Sequence, residues 1–197
     1  DREAFWAEQA TLIDWHAPFT KVLDDSRLPF TRWFVDGQTN LCHNAIDRHL
    51  ATQSDKPALI FVSTETGDER TYTFGQLHRE VQRMAAIMQA LGVRRGERVL
   101  IYLPLIPEAL VAMYACARVG AIHTVVFGGF ASHSLATRID DAAPVLIVSA
   151  DGGSRGGKVV PYKPLLDEAI GLSSHKPAHV LMVDRKLTPF SRVADRD

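Results

Sequence analysis

Cysteine is scarce in this chain: Cys42 and Cys116 are the only two among 197 residues. With no Cys-x-x-Cys pair and no dense cysteine framework, the sequence excludes a disulfide-stapled secreted fold and fits a reducing cytosol best. Net charge is scarce as well. The 22 basic and 23 acidic side chains leave a formal charge of −1, so no global field draws the chain to nucleic acid or to an anionic membrane. There is no basic stripe with interleaved aromatics. No apolar run approaches membrane-spanning length, and Asp1-Arg2-Glu3-Ala4-Phe5 has neither the n-region nor the h-region of a signal peptide. A soluble, unexported, cytoplasmic chain is expected, with residues before Asp1 not included, since no initiator Met is present. Any anion must be met by a local site.

Several chemical signatures are missing too. No Gly-x-Ser-x-Gly elbow occurs, which removes support for a hydrolase triad, and no Gly-x-Gly-x-x-Gly dinucleotide fingerprint occurs. Of 8 histidines, His43 and His49 are too far apart for a helical ligand pair, and Pro177 interrupts the segment between His175 and His179. Asp140 and Asp141 diverge by about 100° on a helix and read as a helix end rather than an acid–base pair. No metal site is predicted.

What is present is alternation. Residues 1 to about 37 carry all three tryptophans and several prolines, with one helical pattern around Phe5–Ile13, and read as an arm packed on a domain. Asn40 is placed to cap a helix through Leu50. Ala58–Ser63 and Glu69–Phe74 flank Thr66-Gly67-Asp68 as a hairpin. Thr73 and Gln76 form a capping box for a helix ended by Gly92. Strands then follow at Arg98–Tyr102, Ile122–Phe127, Val145–Ser149 and His179–Val183. Helices separate them, one starting at Pro107 and stopping at Gly120, another at Ser132–Ala142, a third near Pro164–Ile170. This order predicts an α/β fold: βαβ units with a parallel sheet flanked by helices, and ligands beyond the carboxyl ends of the strands.

Two glycine-bearing loops lie at such ends, Gly128-Gly129 and Asp151-Gly152-Gly153-Ser154-Arg155-Gly156-Gly157-Lys158; both border one crevice if their strands are neighbours. The second reads as an anion cradle, with glycines turning amides toward one point and two cations adding charge. A solvated turn rich in glycine remains open as the plainer reading. A nucleotide P-loop fails at its last position, because Val159 stands where a hydroxyl is required.

Phe5-Trp6-Ala7-Glu8-Gln9, Asn44-Ala45-Ile46-Asp47-Arg48-His49-Leu50, Gly67-Asp68-Glu69-Arg70-Thr71-Tyr72, Ile106-Pro107-Glu108-Ala109, Ala115-Cys116-Ala117-Arg118-Val119-Gly120-Ala121 and Val125-Val126-Phe127-Gly128-Gly129-Phe130 together resemble the acetyl-/propionyl-CoA synthetase branch of the adenylate-forming acyl-CoA synthetases. Within that branch, Asn40–Asn44, Gly129–Leu135 and Ser149–Pro164 are more similar to the propionate-activating than to the acetate-activating members. The resemblance implies residues 1–40 as the N-terminal arm and 41–197 as the first part of the AMP-binding domain, truncated before the ATP-phosphate loop. It implies propionate, ATP with Mg²⁺, and CoA as substrates of the full-length enzyme. Arg155, Gly156, Gly157 and Lys158 then meet the nucleotide end of CoA, and Phe127, Gly128 and Gly129 line its channel. It places no catalytic, ATP-binding or metal residue in this chain, so the chain alone is expected to be inactive and, lacking the opposite wall, to self-associate. An acetate–CoA ligase and a non-catalytic CoA- or nucleotide-binding module stand as the alternatives.

Overall fold

The Asp1 carboxylate accepts the Glu3 amide and starts helix α1 (Arg2–Gln9), which tightens into a 3-10 turn at Ala10–Leu12 in this computed structural model describing residues 1–63 and 66–197. Strands β1 (Lys21–Asp24) and β2 (Arg32–Val35) pair antiparallel beside it. The Trp15, Phe19 and Phe34 rings meet at centroid distances of 5.2 to 5.5 Å. This aromatic knot substitutes for a core, and polar contacts tie it to the segment that begins at Asn40. Asn44 Oδ1 accepts the Asp14 amide, and Arg48 donates to the Leu12 carbonyl.

Asn40 does cap a helix, its side chain accepting the His43 amide, but α2 (Leu41–Ala45) ends earlier than the periodicity predicts. Ile46 leaves helical geometry at φ −130° and ψ −62°, and the path resumes as a 3-10 turn and α3 (Leu50–Gln53). The break sets Asp47 against Arg118 and His78, so a distant ion pair overrides local helix propensity. The expected hairpin is present as β3 (Pro57–Val62) and β4 (Glu69–Thr73). The capping box at Thr73 and Gln76 has both its hydrogen bonds, and it opens α4 (Phe74–Ala90).

From here strand and helix alternate as the sequence predicts: β5 (Arg98–Leu103), α5 (Pro107–Val119), β6 (Ile122–Phe127), α6 (Ser132–Ala142) and β7 (Leu146–Ala150). A short pair, β8 (Gly152–Arg155) and β9 (Lys158–Pro161), precedes α7 (Tyr162–Leu172) and β10 (His179–Val183). The central sheet is parallel in the order β10-β7-β5-β6. Its two inner strands are hydrophobic on both faces because helices cover both. Val99, Ile101, Leu146 and Val148 face α4 and α5, while Leu100, Tyr102 and Ile147 face α6 and α7, and all of these side chains are fully buried. Each such aliphatic contributes about 1.5–3 kcal/mol relative to exposure.

The two sheet edges differ. Beside β10, the Val180 amide donates to the Arg196 carbonyl at 2.7 Å, and Asp197 pairs with the buried Lys163 at 2.9 Å. At β6, Ile122, Val125 and Phe127 are each more than half exposed. Among the described residues no helix is long and apolar enough to cross a membrane.

Ser149 carries a fully buried hydroxyl with no hydrogen-bond partner among the described residues. Since an unsatisfied buried hydroxyl costs about 1–3 kcal/mol, Ser149→Ala is expected to leave stability unchanged or raise it by about 1 kcal/mol. Urea denaturation of the two forms checks this; a loss above about 1 kcal/mol would contradict it.

Candidate functional site

The glycine-rich segment after β7 is a β-hairpin, β8 and β9. Gly153 pairs with Val160, Ser154 with Val159, and Arg155 with Lys158. Gly156 and Gly157 make the two-residue turn with φ of 58° and 73°, a conformation that glycine adopts without strain. The predicted convergence of amides on one point is therefore replaced by cross-strand pairing. The P-loop reading fails on geometry as well as on Val159, because Lys158 opens a strand and the helix starts only at Tyr162.

The two glycine loops do border one crevice, though not for the reason expected. β6 and β7 are not neighbours, since β5 lies between them. What joins the loops is Tyr162. A Cβ on Gly128 would lie 2.3 Å from the Tyr162 hydroxyl oxygen, and one on Gly153 would lie 2.4 Å from it. Both glycines are needed because a phenol occupies the space that any side chain would take. The Tyr162 ring in turn lies 5.0 Å from that of Tyr102. The Tyr102 hydroxyl donates to the Phe130 carbonyl at 3.2 Å and accepts the Gly129 amide at 3.3 Å, fixing the second loop. Burial pushes the Tyr102 phenol up to about 12, against a smaller opposing effect of the Gly129 hydrogen bond.

These contacts frame a cleft of about 620 Å³ at the carboxyl end of the sheet. Its apolar wall includes Leu105, Val125 and Phe127; Gly128, Gly129, Arg155 and Arg185 also line it. Gly156, Gly157 and Lys158 do not line the cleft and stand at the hairpin tip beside it. Arg155 and Lys158 are direct cross-strand partners, so their side chains leave the same hairpin face. Both are exposed, and among the described residues no carboxylate pairs with either. Two like charges in that relation repel, and a bound anion would relieve them. No three His, Cys, Asp or Glu side chains gather as a metal site among the described residues.

Arg185 escaped the sequence reading, although its place directly beyond the carboxyl end of a parallel strand was a usable signal. Asp151, which the sequence places in the glycine loop, is fully buried and accepts the amides of Arg185, Leu187 and Thr188.

Residues 46–194 match the AMP-binding enzyme family, and residues 1–45 match the acetyl-coenzyme A synthetase N-terminus. The chain belongs to the AMP-binding enzyme family. It is 63% identical over 195 residues to the propionate–CoA ligase of Escherichia coli (strain K12), covering 99% of this chain and 31% of that protein. It is 51% identical over 187 residues to the acetyl-coenzyme A synthetase of Thiobacillus denitrificans, covering 94% of this chain and 28% of that protein. The acetoacetyl-CoA synthetase from Streptomyces lividans superposes with a TM-score of 0.87 at 31% identity, covering 96% of this chain and 29% of the other. The chain thus spans less than a third of the length of these AMP-binding relatives.

The tyrosines carry two expected outcomes. Gly153→Ala is expected to destabilise by about 1–3 kcal/mol through overpacking. Combining it with Tyr162→Leu should cost clearly less than the sum of the two single changes, a coupling measured by a double-mutant denaturation cycle; simple additivity would refute the wedge. For Tyr102, the folded pKa lies above the unfolded value of 10.0. Stability that is intact below pH 10 should therefore fall as pH rises from about 10 to about 12. Urea midpoints across that window check this, and Tyr102→Phe should flatten the decline.

Proposed function

We propose that this chain forms the CoA side of a propionate–CoA ligase. In this reaction a propionate oxygen attacks the α-phosphorus of ATP and pyrophosphate leaves; the CoA sulfur then attacks the acyl carbon of propionyl-AMP, and AMP leaves. The observation that carries the reading is the un-neutralised Arg155–Lys158 pair at the mouth of an apolar cleft. CoA matches that division: a nucleotide end bearing a 3′-phosphate and a pyrophosphate, and a slender pantetheine arm. Arg155 presents a planar fork suited to phosphate, and Lys158 adds a point charge. Phe127 supplies apolar contact to the arm. Gly128 and Gly129 line the channel, and Gly129, where an added Cβ would meet nothing within 4 Å, keeps a side chain out of its path.

Propionate is preferred over acetate as the substrate because of the higher identity to the propionate–CoA ligase, 63% against 51% for the acetyl-coenzyme A synthetase. Mg²⁺ would accompany ATP, neutralising its phosphates. The two thiols, Cys42 and Cys116, are buried and unpaired, which agrees with a cytoplasmic setting.

The test is made in the intact synthetase with the two half-reactions measured separately. Arg155→Ala is expected to raise KM for CoA by about tenfold, a loss of one charge-assisted contact. Propionate-dependent exchange of pyrophosphate into ATP should stay within about twofold. Equal loss of both half-reactions would remove Arg155 from the CoA side, and faster turnover of acetate than of propionate would overturn the choice of acid.

A further inference from the structure

The hairpin that carries Arg155 and Lys158 is held at its base by a segment distant in sequence. The buried Asp151 carboxylate accepts the Arg185 amide at 3.0 Å through Oδ1, and the Leu187 and Thr188 amides at 2.6 and 3.0 Å through Oδ2. The Asp151 carbonyl accepts the Thr188 hydroxyl and the Tyr162 amide, each at 3.0 Å. The Arg185 guanidinium then reaches the first residue of β8 and donates from Nη1 to the Gly152 carbonyl at 3.0 Å. Residues 185–188 thus wrap the hairpin root. The tip is open to solvent: Arg155 through Val159 are exposed.

A two-stranded ribbon of four residues a side is marginal by itself, so its direction depends on what fixes its root. Arg185 supplies two of the root bonds itself, one from its amide to the Asp151 carboxylate and one from its guanidinium to the Gly152 carbonyl. It also lines the same cleft as Arg155. A hinge at the root displaces the tip by more than it displaces the base, and a misplacement of about 1 Å is enough to cost a large factor in binding or rate.

We infer that Arg185 is a positioning residue for the CoA step: through its bond to Gly152, with Asp151 as the counterpart that holds residues 185–188, it latches the β8–β9 hairpin so that Arg155 and Lys158 are aimed at the cleft mouth. This rests on the CoA reading of the cleft. Arg185 acts through the hairpin, not on phosphate, and that distinguishes it from a third cation of the site. The latch belongs to the second half-reaction alone. Adenylation should not sense it.

Arg185→Ala in the intact synthetase is expected to raise KM for CoA by about tenfold, while pyrophosphate exchange stays within about twofold. Arg185→Lys, which can still donate one hydrogen bond to a carbonyl, should recover much of that loss. In the Arg155→Ala background, Arg185→Ala should add clearly less than its own effect of about tenfold, because the latch then has only Lys158 left to aim. Full additivity of the two changes would overturn the latch in favour of independent contacts, and matching loss of exchange activity would reduce Arg185 to a stability role. If Arg155→Ala alone leaves KM for CoA unchanged, the CoA reading fails. The latch is then decided by amide hydrogen exchange of the 197-residue chain: Arg185→Ala must speed exchange at Gly153 and Val160, the cross-strand pair nearest the root whose amides face each other, while α4 and α5 keep their protection. Unchanged exchange at the hairpin would overturn it.

Discussion

One phenol ring organises the working end of this molecule. Tyr162 sits where two glycines leave room for it, one following β6 and one on β8, and its flank rests on Tyr102 from β5. Three elements reaching the cleft from different parts of the chain are thereby held at one place. The sheet positions its strands by register, but register stops at the strand ends. Beyond them the cleft's shape depends on packing, and Tyr162 is 5% exposed. A ring so enclosed has little freedom, so the loops that touch it inherit its rigidity.

The same arrangement separates two kinds of chemistry. Below the wedge the contacts are apolar except at the Ser149 hydroxyl, with β5 and β7 buried between helical layers. Above it, Arg155 and Lys158 stand without a carboxylate partner among the described residues, and a polar root formed by Asp151 and Arg185 carries the strand that bears Arg155. Un-neutralised charges of one sign at the rim of an apolar cleft are uncomfortable in isolation, and binding of an anionic, elongated ligand resolves both defects together. Strained or unsatisfied arrangements of this kind collect at sites of function, where a ligand completes them.

Much of the scaffold was legible because its signals are local. Thr73 with Gln76, Pro107 and Gly120 each mark a boundary through chemistry that operates within one helical turn, and each boundary is where the sequence places it. The failures share a cause. The helix from Asn40 breaks at Ile46 because Asp47 answers to Arg118, 71 residues away. The two cations point to phosphate and mask the hairpin, although Gly156-Gly157 between flanking pairs is itself a hairpin signal. Gly128 and Gly153 look like flexible residues, and their real task is steric, set by a ring that no local pattern announces. Arg185 is signalled in the sequence only by its place just beyond β10, because the carbonyl it bonds lies 33 residues back.

The unequal edges of the central sheet have a consequence for how copies of this chain can meet. A strand edge is a template for further pairing, and a sheet with two free edges can recruit neighbours without limit. Here the β10 side carries the returning tail, so among the described residues β6 is the edge that presents free backbone, together with Ile122, Val125 and Phe127. A two-fold arrangement that pairs β6 with β6 would consume that edge on both copies. Such a pairing would run the central sheets of two copies together through β6 and leave the β10 side to its tail.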